Sequence, residues 1–146
     1  MSPQEISFFT EDISFTLRNK NKLRKWIQVV IGNEKKMPGN LNYIFCSDDY
    51  LYKLNKQYLN HDTLTDIITF DLSENPDEIS GEIYISIDRV KENAKKFKVT
   101  FYNELHRVMI HGILHLAGYH DKTEEEVTQM RSKEDKCLSL LPEILG

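Results

Sequence analysis

Apolar positions recur along this chain with two different periods, and the switches between them mark out its elements. Ile6 to Phe9 is a short apolar run that reads as a strand. From Asn19 to Glu34 the apolar residues Leu23, Trp26, Ile27, Val30 and Ile31 fall on one face of an amphipathic helix. Pro38-Gly39 breaks the chain, and Leu41 to Cys46 then alternates as a strand does. Ser47 can cap a helix running from Asp48 to about Tyr58 that buries Leu51, Leu54 and Tyr58. Thr65 to Leu72, rich in β-branched and apolar residues, predicts a central strand. Glu82 to Ile87 alternates again after a turn-rich connection, so these two strands are expected to pair antiparallel.

The second half is helical. One helix is expected from about Asp88 to Phe97, and Thr100 can cap the next, which carries Leu105, Val108, Met109, Ile113 and Leu114 inward. Thr123 followed by Glu126 is a capping box, and the acids Glu124 to Glu126 suit a helix N-terminus. That last helix should bury Val127, Met130, Leu138 and Leu141. No repeat, low-complexity tract or linker interrupts the pattern. The expectation is one α+β domain over residues 1–146, a mixed sheet of about four strands packed with about five helices.

Composition narrows the class without naming a function. At 146 residues, 40% hydrophobic and 29% charged, the chain can bury an ordinary globular core. The first residues lack a basic segment followed by an apolar run, and the longest apolar stretches fall far short of the ~20 residues of a membrane span. No membrane partner is expected. Cys46 and Cys137 are too few and too far apart for a disulfide framework, which points to free thiols in a cytoplasmic protein. The net charge of −4 argues against a globally basic nucleic-acid binder. Two basic clusters stand out all the same: Arg18, Lys20, Lys22, Arg24, Lys25, Lys35 and Lys36, and then Arg89, Lys91, Lys95, Lys96 and Lys98. Each is either a local surface for phosphates or a solvated helix face.

The chemistry concentrates in HGILHLAGYHD, residues 111–121. His111 and His115, at i and i+4, stand on one face of a helix, where two imidazoles can hold one tetrahedral metal ion. Gly118 can take the left-handed conformation that ends a helix, so that residues just beyond fold back toward the same ion. A catalytic zinc site usually has three protein ligands and an open position for water. His120 and Asp121 are both candidates for the third ligand, and Asp121 has the further reading of an N-terminal charge for the last helix. His106 lies about 140° around the helix from His111 and reads as a surface residue or a support for the ligands. Zinc peptidases with such a helix carry a glutamate directly after the first histidine; here that position is Gly112. Asp66 and Thr65 read first as hydrogen-bonding residues at a strand start.

His-Gly-x-Leu-His-Leu-x-Gly-Tyr, at 111–119, resembles the signature of the YbeY family of single-strand-specific endoribonucleases, or rRNA maturation factors. Leu54-Asn55, Thr65-Asp66 and Phe70 are similar to the family's LN…TDVLSF segment, Gly81-Glu82-Ile83 to Ser86 to its GDI-x-IS strand, and Met130, Glu134 and Leu138 to its closing helix. The N-terminal third carries no such match. The family's third ligand is a histidine six residues after the second, and the matching position here holds Asp121, so the resemblance implies the set His111, His115 and Asp121 with one Zn2+ ion. The donor set also suits nickel, iron or manganese.

The resemblance implies a zinc-dependent endoribonuclease that cuts single-stranded RNA in rRNA 3′-end maturation and ribosome quality control, with ribosomal proteins or the small ribosomal subunit as partners. No catalytic group is implied beyond a water held by the metal. At residue 59 the family carries an arginine implied to meet phosphate; Leu59 cannot do so, and His61 and Lys56 are the nearby substitutes. Leu59 favours an alternative, a non-catalytic ribosome-assembly factor with a structural metal. A metallopeptidase is the third reading, weakened by Gly112.

Overall fold

The computed structural model describes residues 5–58 and 65–146. Its elements run β1 (Ile6–Thr10), α1 (Lys20–Asn33), β2 (Met37–Cys46), α2 (Asp48–Tyr58), β3 (Ile67–Asp71), β4 (Glu78–Ser86), α3 (Ile87–Phe97), α4 (Phe101–Leu116), α5 (Glu124–Leu138) and the short α6 (Leu141–Leu145). The four strands form one mixed sheet in the order β1-β2-β4-β3. β1, β2 and β4 are parallel, and β3 runs antiparallel to β4, as the alternation of the two strands predicts. This is a single α+β domain. Leu59 and His61 lie outside the described residues.

The period of two sorts the sheet's side chains onto two faces. Ile6, Leu41, Tyr43, Phe45, Ile79, Ile83 and Ile85 face the main core together with Leu23, Trp26, Ile27 and Ile31 of α1 and most of α4. The opposite face is smaller: Cys46, Leu51 and Ile68, with Tyr50, Leu54, Phe70 and Tyr84 packed against them, lie under α2. Both cysteines are buried free thiols, and burial pushes Cys46 up to about 12 and Cys137 up to about 11, so neither is primed to bind metal or react.

β2 begins four residues earlier than the alternation suggested. Pro38 still pairs with Ile79, and the register shifts between Pro38 and Leu41, so a bulge absorbs the Pro-Gly break instead of ending the strand. Gly81 of β4 faces the Phe70 carbonyl so closely that any Cβ there would collide with it; only glycine lets β3 lie against β4 at this point.

α4 is the central helix of the fold. Leu105, Met109, Ile110, Ile113 and Leu114 are fully buried, and Gly112 sets the helix close on the sheet, since a Cβ there would stand 3.0 Å from Ile67 and Ile83 side-chain atoms. A helix apolar on nearly every side is a buried one. That overturns the surface reading of His106. Its position 140° from His111 does take it off the ligand face, but the side it turns to is core: it is 9% exposed, between Trp26 (ring centroids 6.0 Å) and Tyr102 (5.7 Å).

Burial lowers the pKa of His106 to about 4. The folded chain therefore resists a proton that the unfolded chain accepts from about pH 6.5 downward. Stability from this residue is complete above pH 6.5 and falls by up to about 1.4 kcal/mol per pH unit as the pH drops toward 4. Urea denaturation at pH 7 and pH 5 should show His106→Phe losing less stability than the native chain; equal losses would contradict this reading.

Two further corrections concern residues expected inside. Val127 is 51% exposed because it overhangs a small cleft, and the inward stripe of α5 runs through Met130, Glu134 and Cys137 instead. Tyr58 is 61% exposed, its ring edge against Phe70, and Asn55 is the buried residue of that helix turn. Among the described residues no helix is long and apolar enough to cross a membrane.

Candidate metal centre and adjoining cleft

His111 and His115 project from the last turns of α4 with ring centroids 4.6 Å apart. The helix then closes in a Schellman motif: Gly118 N–H donates to the His115 carbonyl (3.0 Å) and Tyr119 N–H to that of Leu114 (3.0 Å), with Gly118 at φ 107°. Four residues after Tyr119, Thr123 caps α5. Its hydroxyl accepts from Glu126 N–H (3.1 Å), and the Glu126 carboxylate accepts from Thr123 N–H (3.0 Å), the predicted capping box. Asp121 is held between these two caps. Thr123→Ala is expected to cost about 1 kcal/mol in urea denaturation, and an unchanged midpoint would show the cap idle.

The turn carries Asp121 back to α4. Its Oδ2 lies 3.3 Å from Nε2 of His111 and 3.3 Å from Nε2 of His115, and the three donor atoms fall within 4.8 Å of one another. Charge-assisted hydrogen bonds are shorter than this, ~2.7–2.9 Å. Ligand bonds of ~2.0–2.1 Å at tetrahedral angles instead place neighbouring donor atoms ~3.3 Å apart. The residues fit a metal ion, and this group could hold one. His120 is exposed and stands outside it.

Glu134 of α5 supports the first histidine. One oxygen lies 2.6 Å from His111 Nδ1, and the other accepts from Arg107 Nη1 at 2.8 Å. Burial pushes the Glu134 carboxyl up, but the hydrogen bonds from His111 and Arg107 outweigh it, and the net shift is downward. An ionised carboxylate only accepts, so a proton sits on His111 Nδ1, and Nε2 is the nitrogen that can offer a lone pair to a metal. This is the carboxylate–histidine arrangement that orients metal ligands. The sequence carried a signal for it that composition alone hides: an acid in the middle of the inward stripe Met130–Glu134–Cys137.

Beside His111 and Asp121 opens a cleft of about 290 Å³ between α3, α4 and α5. Asp66, Glu104, Arg107, Arg131 and Glu134 reach into it. At the strand start the Asp66 carbonyl accepts from Ser86 N–H (3.0 Å), and the Thr65 hydroxyl donates to the Ile67 carbonyl (3.1 Å). The Asp66 side chain nevertheless faces the cleft, its pKa raised by burial and by Glu134 and Asp121, against the pull of His111. Arg131, 55% exposed in its side chain, lines this cleft and a smaller one that shares His111, Asp121 and Glu134 with it. Lys56, one proposed substitute for the missing arginine, is exposed on α2 and lines neither cleft.

The two basic clusters have different fates. Around α1, Arg24 bonds the Ile6 carbonyl, Lys22 that of Leu145 and Lys36 that of Pro76, so these cations tie elements together. Lys91, Lys95 and Lys96 on α3 and Lys98 just after it are exposed, on the helix whose Asn93 and Phe97 line the cleft.

A two-histidine, one-carboxylate group that could hold a metal ion thus stands at the end of a buried helix, beside a cleft bearing arginines. The family model described as Endoribonuclease YbeY matches residues 5–142, which takes in the N-terminal third as well, and the chain belongs to this family. The Endoribonuclease YbeY of Flavobacterium psychrophilum is 55% identical over 90% of this chain and 94% of its own length. That of Cytophaga hutchinsonii is 51% identical over 96% and 98%. A solution structure from Thermotoga maritima is similar with a TM-score of 0.62 and 31% identity, covering 92% of this chain and 90% of that one.

Proposed function

We propose that this chain is a zinc-dependent endoribonuclease specific for single-stranded RNA, acting in the cytoplasm in rRNA 3′-end maturation and ribosome quality control. The whole of residues 1–146 is its one catalytic domain, and its partners are rRNA, ribosomal proteins and the small ribosomal subunit. The observation that carries the reading is the group His111, His115 and Asp121 opening onto a cleft lined by Arg107 and Arg131. Family membership supplies the reaction.

In this reading His111, His115 and Asp121 are the ligands. A zinc ion held there supplies Lewis-acid polarisation of a phosphoryl oxygen and activation of water. Glu134 holds the His111 ring and keeps its proton on Nδ1. Arg131, exposed and lining both clefts beside the ligands, meets the phosphate and takes over what Leu59 lacks. Arg107 is already committed to Glu134 (2.8 Å) and Asp135 (2.7 Å) and adds positive charge to the wall.

No observation favours a peptidase. The position after His111 faces Ile67 and Ile83, so it offers no base to the site. A labelled single-stranded rRNA 3′ tail, the same sequence in a duplex and an unstructured protein are the three substrates to compare. The expected result is cleavage of the single strand alone. Digestion of the protein, or equal cleavage of both RNAs, would overturn the proposal.

A further inference from the structure

The cleft reaches well beyond the metal ligands, and its far end has no role in holding them. Along α4 the residues Glu104, Arg107, Val108 and His111 fall on one face, so Glu104 lies about 10 Å along the helix axis from His111. A nucleotide spans a comparable distance from its phosphate to the far edge of its base. Three residues at that end stand out.

Glu104 is 5% exposed, yet its carboxyl group makes no hydrogen bond among the described residues and reaches into the cleft. The carboxyl group opens onto the cleft instead of being sealed in the core, so a ligand in the cleft can reach it. Its nearest cation, Arg107, has both terminal nitrogens engaged elsewhere, with Glu134 and Asp135. Burial and the neighbouring Asp66 push its pKa up. Asn93, half-buried on α3, also lines the cleft with no hydrogen bond among the described residues. Phe97, one turn further along α3, is 48% exposed at the cleft's wall, with Lys96 Nζ 5.7 Å from its ring centroid.

An exposed aromatic face beside unpaired hydrogen-bonding groups is the way proteins take up an unstacked base. We infer that this end of the cleft is a nucleobase subsite, in which Phe97 stacks a base of the single-stranded substrate and Asn93 and Glu104 read its edge. The inference rests on the endoribonuclease reading and deepens it. Glu104 presents an acceptor oxygen whether or not it is protonated, and the exocyclic amino groups of adenine, cytosine and guanine satisfy it. Uracil has no exocyclic amino group and offers only its ring N3–H, so the subsite disfavours it without excluding it. Lys95, Lys96 and Lys98, exposed on and just after the same helix, hold the flanking phosphates.

The test is equilibrium binding of short fluorescent single-stranded oligoribonucleotides of A, C or U to the zinc-loaded protein, with cleavage followed separately. The A and C oligomers should bind roughly three- to tenfold more tightly than U. Phe97→Ala should weaken binding about tenfold with an unchanged Tm, and Phe97→Tyr should restore it. Glu104→Gln adds an amide donor that can meet the uracil O4, so it should narrow the preference. Wild-type affinity in Phe97→Ala, or a base preference that Glu104→Gln leaves unaltered, would overturn the subsite. Loss of cleavage with these binding effects intact would count against the nuclease reading alone. Cleavage without these binding effects would count against the subsite alone, and no RNA binding at all would count against both.

Discussion

Replacing His115 by alanine is expected to abolish metal binding and RNA cleavage together while leaving the fold intact. His115 stands on the exposed side of the last turn of α4, 27% exposed in its side chain, and the residues that bury that helix, Ile113 and Leu114, point elsewhere. Truncating it therefore opens no core cavity, and the loss of stability in the metal-free protein should stay below about 1 kcal/mol, as for a surface position. Its effect on the site is much larger. Asp121 Oδ2 is placed 3.3 Å from both imidazoles, so removing one leaves only two donors where a zinc site needs three from the protein. The drop in activity should exceed the ~10–100-fold typical of changes to residues that merely support a ligand. Metal content by elemental analysis, Tm and cleavage rate of the same preparation check the three parts. Full activity in a metal-free His115→Ala protein would contradict the assignment.

Glu134→Gln should have the second largest effect, and it should be divided between stability and metal affinity. The native carboxylate is 5% exposed and bonded on both sides, to His111 at 2.6 Å and to Arg107 at 2.8 Å. An amide of the same shape can accept from only one of them through its oxygen. Its NH2 group then faces either the Arg107 guanidinium, a donor, or His111 Nδ1. In the first case the part-buried Arg107 keeps Asp135 but meets a second donor in place of an acceptor, which should cost on the order of 1–3 kcal/mol. In the second the imidazole must move its proton to Nε2, the atom that faces Asp121, and it ceases to be a ligand. Metal affinity should fall about 10–100-fold. A competition titration against a chelator, beside urea denaturation of the metal-free protein, separates the two effects. Unchanged affinity with lowered stability would reduce Glu134 to a structural role.

The helices and the ligand segment were legible in the sequence because their determinants are local. Ser86, Thr100 and Thr123 cap α3, α4 and α5 through their own side chains, and the caps at Thr100 and Thr123 were readable from residue type and spacing. Gly118 announced the turn that returns Asp121 to His111 and His115. What stayed hidden depends on which elements become neighbours. Periodicity says that Glu134 and His106 face inward or sideways, not that one meets His111 and the other Trp26. The sheet order, with β4 inserted between β2 and β3, brings the start of β3, and hence Asp66, beside α4. The cleft is assembled from three helices whose lining residues are spread from Asn93 to Glu134, and no window of the sequence shows it. The Pro-Gly break was misleading for a related reason. Proline and glycine end a strand unless a neighbouring strand accommodates a bulge, and β4 does so here.

One ion held by three residues of this chain should serve RNA cleavage. The most direct measurement is a zinc titration of chelator-treated, desalted protein, following cleavage of a labelled single-stranded RNA. Activity should be absent at the start, rise with added zinc and saturate at one ion per chain, while His115→Ala stays inactive throughout. Undiminished cleavage before any zinc is added, or a return of activity in His115→Ala to the native level, would contradict it.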